Sequence, residues 1–310
     1  MKIDHKFKKE HYRENEIELP GSYIHTQYDI NHWNFNYDVK SEKYFGENHY
    51  IPHIRNIYNS IQNTNHLPMI TLCIPCVDQH VPLLLKLLGT INDFTRKPDK
   101  IMIGLSPKFN DSDLFDEKNK ILQSYPELPI EIIVQTTQTN AATHLNIMGK
   151  LIKEGFIVRA DADDIIHPQK LEIIEKIVNK NPDTKLLLHK VRSGSKERDY
   201  NIKNFNYIDC TNIENDIFKI ETRIINERLL LCSDMLNKKY NRNNLDFLDR
   251  SNYIHYGACS YHFSVLQNIQ YKNRNFSEDK IFSLDVTQFY NNTKYIDLYL
   301  NLFVPSGTWK

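Results

Sequence analysis

From Met69 onward, short apolar runs alternate with segments in which apolar residues recur every three or four positions. MITLCIP (Met69–Pro75) predicts a buried strand, and Pro82 opens a helix that carries Leu84, Leu88 and Ile91 on one face. KIMIGL (Lys100–Leu105) predicts the next strand, a helix follows around Leu114–Ser124, and IEIIV (Ile130–Val134) is a third strand. Thr139 or Asn140 suits the cap of a helix whose Ala141, Leu145, Met148 and Ile152 share a face. FIVRA (Phe156–Ala160) is a fourth strand. Pro168 then fits the first position of a helix bearing the stripe Leu171, Ile174 and Val178, and KLLLH (Lys185–His189) is a fifth strand. Strands that are apolar throughout, separated by amphipathic helices, predict an α/β fold: a Rossmann-like, mainly parallel sheet with helices on both faces.

The regular pattern has two flanks. Residues 1–67 are polar and show no sustained period, yet Trp33, Phe35, Tyr37, Tyr44 and Phe45 give them more aromatic surface than a disordered tail carries. They read as an N-terminal extension packing across the core. Beyond about residue 200 the pattern loosens into loops. A strand-like stretch returns at Tyr253–Phe263, a helix follows near Asp279–Tyr290, and KYIDLYLNLF alternates as a strand. The expected organisation is therefore 1–67 as extension, 68–190 as a first functional half and 191–310 as a second.

Composition narrows the functional classes. Among 310 residues, Lys+Arg and Asp+Glu both number 39, so the chain lacks the basic excess of a nucleic-acid binder. No apolar run is long enough to cross a membrane and the N-terminus (MKIDHKFKKEHYREN) lacks a signal-like core, which predicts a cytoplasmic protein. The nine glycines form neither of the common phosphate loops. Cys73 and Cys76 make a C-x-x-C, but they lie inside an apolar strand and have no second pair, so they read as free strand thiols along with Cys210, Cys232 and Cys259.

The densest chemistry follows the fourth strand: Arg159-Ala-Asp161-Ala-Asp163-Asp164. On an extended strand Arg159, Asp161 and Asp163 would share a face, and Ala160 and Ala162 would let other backbone approach. Crowded carboxylates at the C-terminal edge of a sheet repel unless a cation neutralises them, and that edge is where open α/β sheets bind ligands. A divalent cation carrying a diphosphate answers both conditions. A turn capping the next helix through Asp164 or His167 needs one such residue, not three.

The segment IVRADADDIIHPQKLEIIEKI resembles the Asp-x-Asp region of the family 2 glycosyltransferases, which have the GT-A fold. Asn146 stands where that family has the asparagine of an Ala-Arg-Asn-x-Gly stretch, with Leu145 in place of the arginine and Gly149 one position late. ITLCIP resembles the opening strand that turns around the nucleotide base, with Pro75 and then Asp78 at its end. Ser277-Glu278-Asp279 resembles the Glu-Asp motif whose aspartate is the catalytic base. The resemblance covers about residues 69–180 well and 250–305 loosely. It departs after the second strand, where GLSPKFND replaces the acidic pair that holds uridine in the family.

The resemblance implies a metal-dependent, inverting glycosyltransferase. The donor would be a nucleoside-diphosphate sugar, UDP-linked in the commonest case, and the acceptor a glycan or protein hydroxyl. It implies that Pro75, Asp78, Asn146, Arg159 and Asp161 line the donor site, and that Asp161 and Asp163 hold Mn²⁺ or Mg²⁺. Asp279 would be the base, with Glu278 in reserve. His189, His255 and His262 are further candidates as ligands, though each also suits a loop or packing role. Two other classes compete. A sugar nucleotidyltransferase would want a Gly-rich basic loop after the first strand, where CVDQHVP stands, and a binding module with a degenerate site would not need the acidic cluster.

Overall fold

The computed structural model describes residues 68–109, 113–193, 205–241, 254, 256–273 and 277–303. The predicted extension at 1–67 lies outside them. Within the described residues, the expected order of elements is present: β1 (Ile70–Val77), α1 (Val81–Thr90), β2 (Lys100–Ser106), α2 (Phe115–Ser124), β3 (Ile130–Val134), α3 (Ala141–Leu151), β4 (Phe156–Arg159), β5 (Ile165–Ile166), α4 (Lys170–Lys180) and β6 (Leu186–Ser193). Asn140 is the cap of α3, its side chain accepting from Thr143 N at 3.0 Å. Pro168 falls short of its predicted place: Gln169 caps α4, which begins at Lys170, and Pro168 belongs to the preceding turn.

The remaining elements are β7 (Ile217–Ile225), β8 (Arg228–Cys232), α5 (Asp234–Lys239), β9 (Ser260–His262), α6 (Val265–Asn268), α7 (Glu278–Tyr290) and β10 (Thr293–Phe303). The stretch expected to be loops therefore contains a hairpin. IFKIETRII and RLLLC pair across Asn226 and Glu227, both at positive φ, the geometry that tight two-residue hairpin turns demand. Among the described residues of the strand expected over 253–263, only β9 is a strand.

All the strands belong to one sheet in the order β3-β2-β1-β4-β9-β6-β10-β7-β8, with β5 paired to β10. β3, β2, β1 and β4 are mutually parallel, and β6 and β10 run the same way. Antiparallel β9 is wedged between β4 and β6, so the two predicted functional halves share a sheet. Even-numbered residues of β1 (Ile70, Leu72, Ile74 and Cys76) join a core with α1, α2 and α4 on one face. Cys73 faces the other core, with α3, α5, α6 and α7. The C-x-x-C is thus split between opposite faces, and both thiols are free and buried.

Two glycines allow close approach on the second face. A Cβ at Gly104 of β2 would lie 2.5 Å from the His144 ring, and one at Gly149 of α3 would lie 1.9 Å from Leu266. The C-terminal ends of β1, β2 and β4 converge on the same edge, which holds the acidic cluster.

Candidate active site

β4 stops at Arg159. Ala160 N still donates to Cys73 O at 3.1 Å, and Asp161–Asp164 then form a turn closed by Asp164 N donating to Asp161 O at 3.0 Å. The expectation that Asp161 and Asp163 share a strand face is therefore corrected: a turn, not pleat alternation, sets their directions. The turn also separates the three carboxylates. Asp164 is buried, and its Oδ2 accepts from Asp161 N and from Asn301 Nδ2, each at 3.0 Å. Asn301 Oδ1 accepts from Lys170 Nζ at 2.9 Å, and the same ammonium reaches Ala258 O at 3.3 Å. Burial, reinforced by the charge of Asp161, raises the Asp164 pKa, and burial lowers that of Lys170. Asp164 is a strut under the turn, leaving Asp161 and Asp163 as the carboxylates that open outward.

Arg159 lies between this turn and α7. Its side chain is only 4% exposed, and Nη2 is 3.4 Å from both Asp161 Oδ1 and Glu278 Oε1. Nε and Nη1 have no partner among the described residues. Burial opposes the charge of the guanidinium, but Asp161 foremost, then Tyr271 and Asp279, hold its pKa well above the ordinary value. The guanidinium sits over the Tyr271 ring at 5.7 Å, and Tyr271 stacks on Phe282 of α7 at 3.9 Å and 11°. Glu278 and Asp279 open α7 after Ser277, which takes a left-handed conformation (φ 61°). Both are half-buried, and Asp279 Oδ1 accepts from Lys280 N at 2.7 Å.

Asn146, predicted to touch the donor, hydrogen-bonds the backbone of Tyr271. Its Nδ2 donates to Tyr271 O at 2.8 Å and its Oδ1 accepts from Tyr271 N at 2.9 Å, so the amide mimics a peptide group and clamps the Tyr271 backbone. Pro75 is buried inside β1 opposite Gly104, not at the end of the strand. The backbone of Cys73 faces β4, and Pro75, two residues on, faces the same side past the last β1–β4 pair, so its missing N–H costs no ladder bond. Asp78 does stand at the strand end. Its Oδ1 accepts from Gln79 N at 2.7 Å and Lys108 N at 3.1 Å, tying the exits of β1 and β2 together. Burial first, then the charges of Asp78 and Asp163, push the Cys76 thiol up, so carboxylates from two strand ends act on one buried sulfur.

Two of the three candidate histidines lie among the described residues. His189 is buried with Nδ1 2.8 Å from Lys190 O, His262 packs edge-on against Phe156, and His255 lies outside the described residues. Among the described residues, no three His, Cys, Asp or Glu side chains gather as a ready-made metal cage. Two outward carboxylates on a braced turn nonetheless suit a hard cation that takes its other ligands from phosphate and water.

Lys170, Asn301 and Tyr271 are absent from the sequence-derived set. Lys170 reads as an exposed helix-start lysine, and Tyr271 sits in a loop without pattern. Asn301 did leave a trace as a polar residue interrupting the apolar strand KYIDLYLNLF.

No protein-family model matches this chain, and no curated protein sequence matches it. The chain is similar to solved structures of S. aureus TarS 1–349 (14% identity, 75% of this chain, 59% of that chain, TM-score 0.49). It is similar to TarS 1–349 in complex with UDP-GlcNAc (14%, 76% and 58%, TM-score 0.48). A third is the mannosyltransferase PcManGT from Pyrobaculum calidifontis in complex with GDP-Man and Mn²⁺ (13%, 77% and 58%, TM-score 0.46). The chain spans less than two thirds of the length of each. Among the described residues, no helix is long and apolar enough to cross a membrane.

Proposed function

We propose that the protein is a metal-dependent glycosyltransferase of the GT-A type that moves a sugar, with inversion, from a nucleoside diphosphate to a hydroxyl acceptor. The observation that carries this reading is the meeting, around Arg159, of Asp161 of the β4 turn with the Glu278–Asp279 start of α7.

In this reading Asp161 and Asp163 would hold Mn²⁺ or Mg²⁺. The bound cation would neutralise charge developing on the departing nucleoside diphosphate. Asp78, at the exit of β1, faces the nucleotide. Asn146 and Pro75 serve the site indirectly, the one by fixing Tyr271 and the other as part of the sheet behind it. Asp279 accepts the proton of the acceptor hydroxyl as its oxygen attacks the anomeric carbon. Glu278 is occupied by Arg159, which favours Asp279 as the base.

Thermal shift with UDP, GDP, ADP and CDP, each with and without Mn²⁺, tests the proposal. A nucleoside diphosphate that binds the native state raises the melting temperature by mass action. The expected result is stabilisation by one of the four that requires Mn²⁺ and is lost in a folded Asp163→Ala variant. Stabilisation equal with and without metal would overturn metal dependence, and none across the panel would favour a non-catalytic module.

A further inference from the structure

Arg159 is placed unlike a residue that merely neutralises a neighbour. A buried guanidinium in a purely structural role normally fills its donors, because a buried N–H without a partner is costly. Here one nitrogen is shared, at the same 3.4 Å, by carboxylates from two separate elements, while Nε and Nη1 find no partner among the described residues. The group can drift little. Its own backbone N–H is bound to Cys259 O at 3.0 Å, its plane lies over Tyr271, and Asn146 holds Tyr271 through both backbone groups. By contrast, α7 begins on a left-handed serine whose own side chain makes no capping hydrogen bond. The carboxylate of Glu278 on Arg159 is a polar tie between that first turn and the end of β4.

We propose that Arg159 is a positioning residue: it braces the first turn of α7 against the Asp161–Asp164 turn through Glu278, and so sets where Asp279 stands relative to the donor side. The proposal rests on the glycosyltransferase reading for its consequence, but the brace itself is a physical contact that can be measured without turnover. Asp161 and Glu278 compete for one nitrogen. A cation that claims Asp161 leaves Arg159 to the carboxylates at the start of α7, so loading the donor side tightens the brace.

The test uses the full chain with Arg159→Lys, Glu278→Gln and the double variant. Lysine keeps the charge but lacks the planar fork that reaches two carboxylates at once. Hydrogen exchange at the Ile281 and Phe282 amides is expected to quicken about tenfold in each single variant and no further in the double, since both break one contact. Exchange in α4 should be unchanged. Mn²⁺ plus whichever nucleotide stabilises the wild type should slow exchange at these amides in the wild type, and not in Glu278→Gln. The affinity of Glu278→Gln for that metal–nucleotide pair should stay within about twofold, because the β4 turn is intact. Where the wild type turns over a nucleotide sugar, kcat should fall in both single variants, with the donor KM unmoved in Glu278→Gln. Additive exchange effects, or none, would overturn the brace even if nucleotide binding is normal. If no nucleotide binds the wild type, the glycosyltransferase reading falls, and the ligand-free exchange comparison still decides the brace.

Discussion

The Asp161–Asp164 turn and the first turn of α7 bring carboxylates to one guanidinium, yet they are secured by different means. The turn is fastened from beneath by hydrogen bonds at 2.9–3.0 Å that link Asp164, Asn301 and Lys170, all buried. The helix start has a long ion pair, an aromatic stack and a left-handed entry residue. Buried, fully partnered polar groups hold a backbone in one arrangement, whereas half-buried ion pairs hold it loosely. The two sides of the proposed site thus differ in stiffness: a fixed donor side and an adjustable acceptor side, which suits a site whose metal must be gripped before the acceptor is aligned.

The largest effect should come from the adjustable side. Asp279→Asn preserves size and helix-start compatibility but removes the proton acceptor. Transfer should drop by roughly 10²–10⁴-fold while metal–nucleotide affinity stays near wild type. Near-normal transfer from a nucleotide sugar would move the base elsewhere.

On the fixed side, Asn301→Leu removes the partner shared by Asp164 and Lys170, leaving each buried group with only part of its hydrogen bonding. Denaturant titration should show a loss of about 3–5 kcal/mol. A loss below about 1 kcal/mol would mean that the turn is not braced from beneath, and the contrast in stiffness would disappear.

Acid should reach the helix side through α3. His144 is buried against Gly104 with neither ring nitrogen partnered among the described residues, and burial pulls its pKa down to about 4. An unfolded histidine titrates near 6.5, so between these values the unfolded chain binds the extra proton. Stability is complete above about pH 6.5 and falls by about 3 kcal/mol as pH drops toward 4. His262, also pulled down to about 4 by burial and Lys185, adds in the same direction. A His144→Leu variant should show a flatter acid limb than wild type in melting temperature against pH, and an unchanged limb would remove His144 from the account.

The smallest effect is expected for Asn146→Ala. It deletes two hydrogen bonds to the Tyr271 backbone, so about 1–2 kcal/mol should be lost. Tyrosine near-ultraviolet circular dichroism should change with it, since the Tyr271–Phe282 stack loosens. If metal–nucleotide affinity falls tenfold instead while the spectrum holds, Asn146 touches the donor after all.

How much of this was legible in the sequence follows from how local each signal is. IEIIV is β3 as predicted, and Asn140 is one of the two predicted caps, because strand apolarity and capping are decided by near neighbours. The acidic cluster was visible as a cluster, but its division into one strut and two outward carboxylates depends on Asn301, 137 residues away from Asp164. Asn146 stood out, but its partner is 125 residues on, so its clamp on Tyr271 could not be read. The β7–β8 hairpin was missed for a local reason. Its turn is Asn-Glu, and a glutamate at positive φ lacks the glycine that normally advertises such a turn.

Three-residue β9 has a consequence for how the chain is made. Among the described residues it alone joins β4 to β6, and it is synthesised about a hundred residues after β4. Until Ser260–His262 emerge and slot in, β4 and β6 each present a bare strand edge, the kind that recruits other chains. The nascent protein therefore completes its sheet late, and a chain halted anywhere before β9 would leave the ribosome with the β3-β2-β1-β4 half-sheet, a β6 that still lacks both β9 and β10, the β7–β8 hairpin and a high tendency to aggregate.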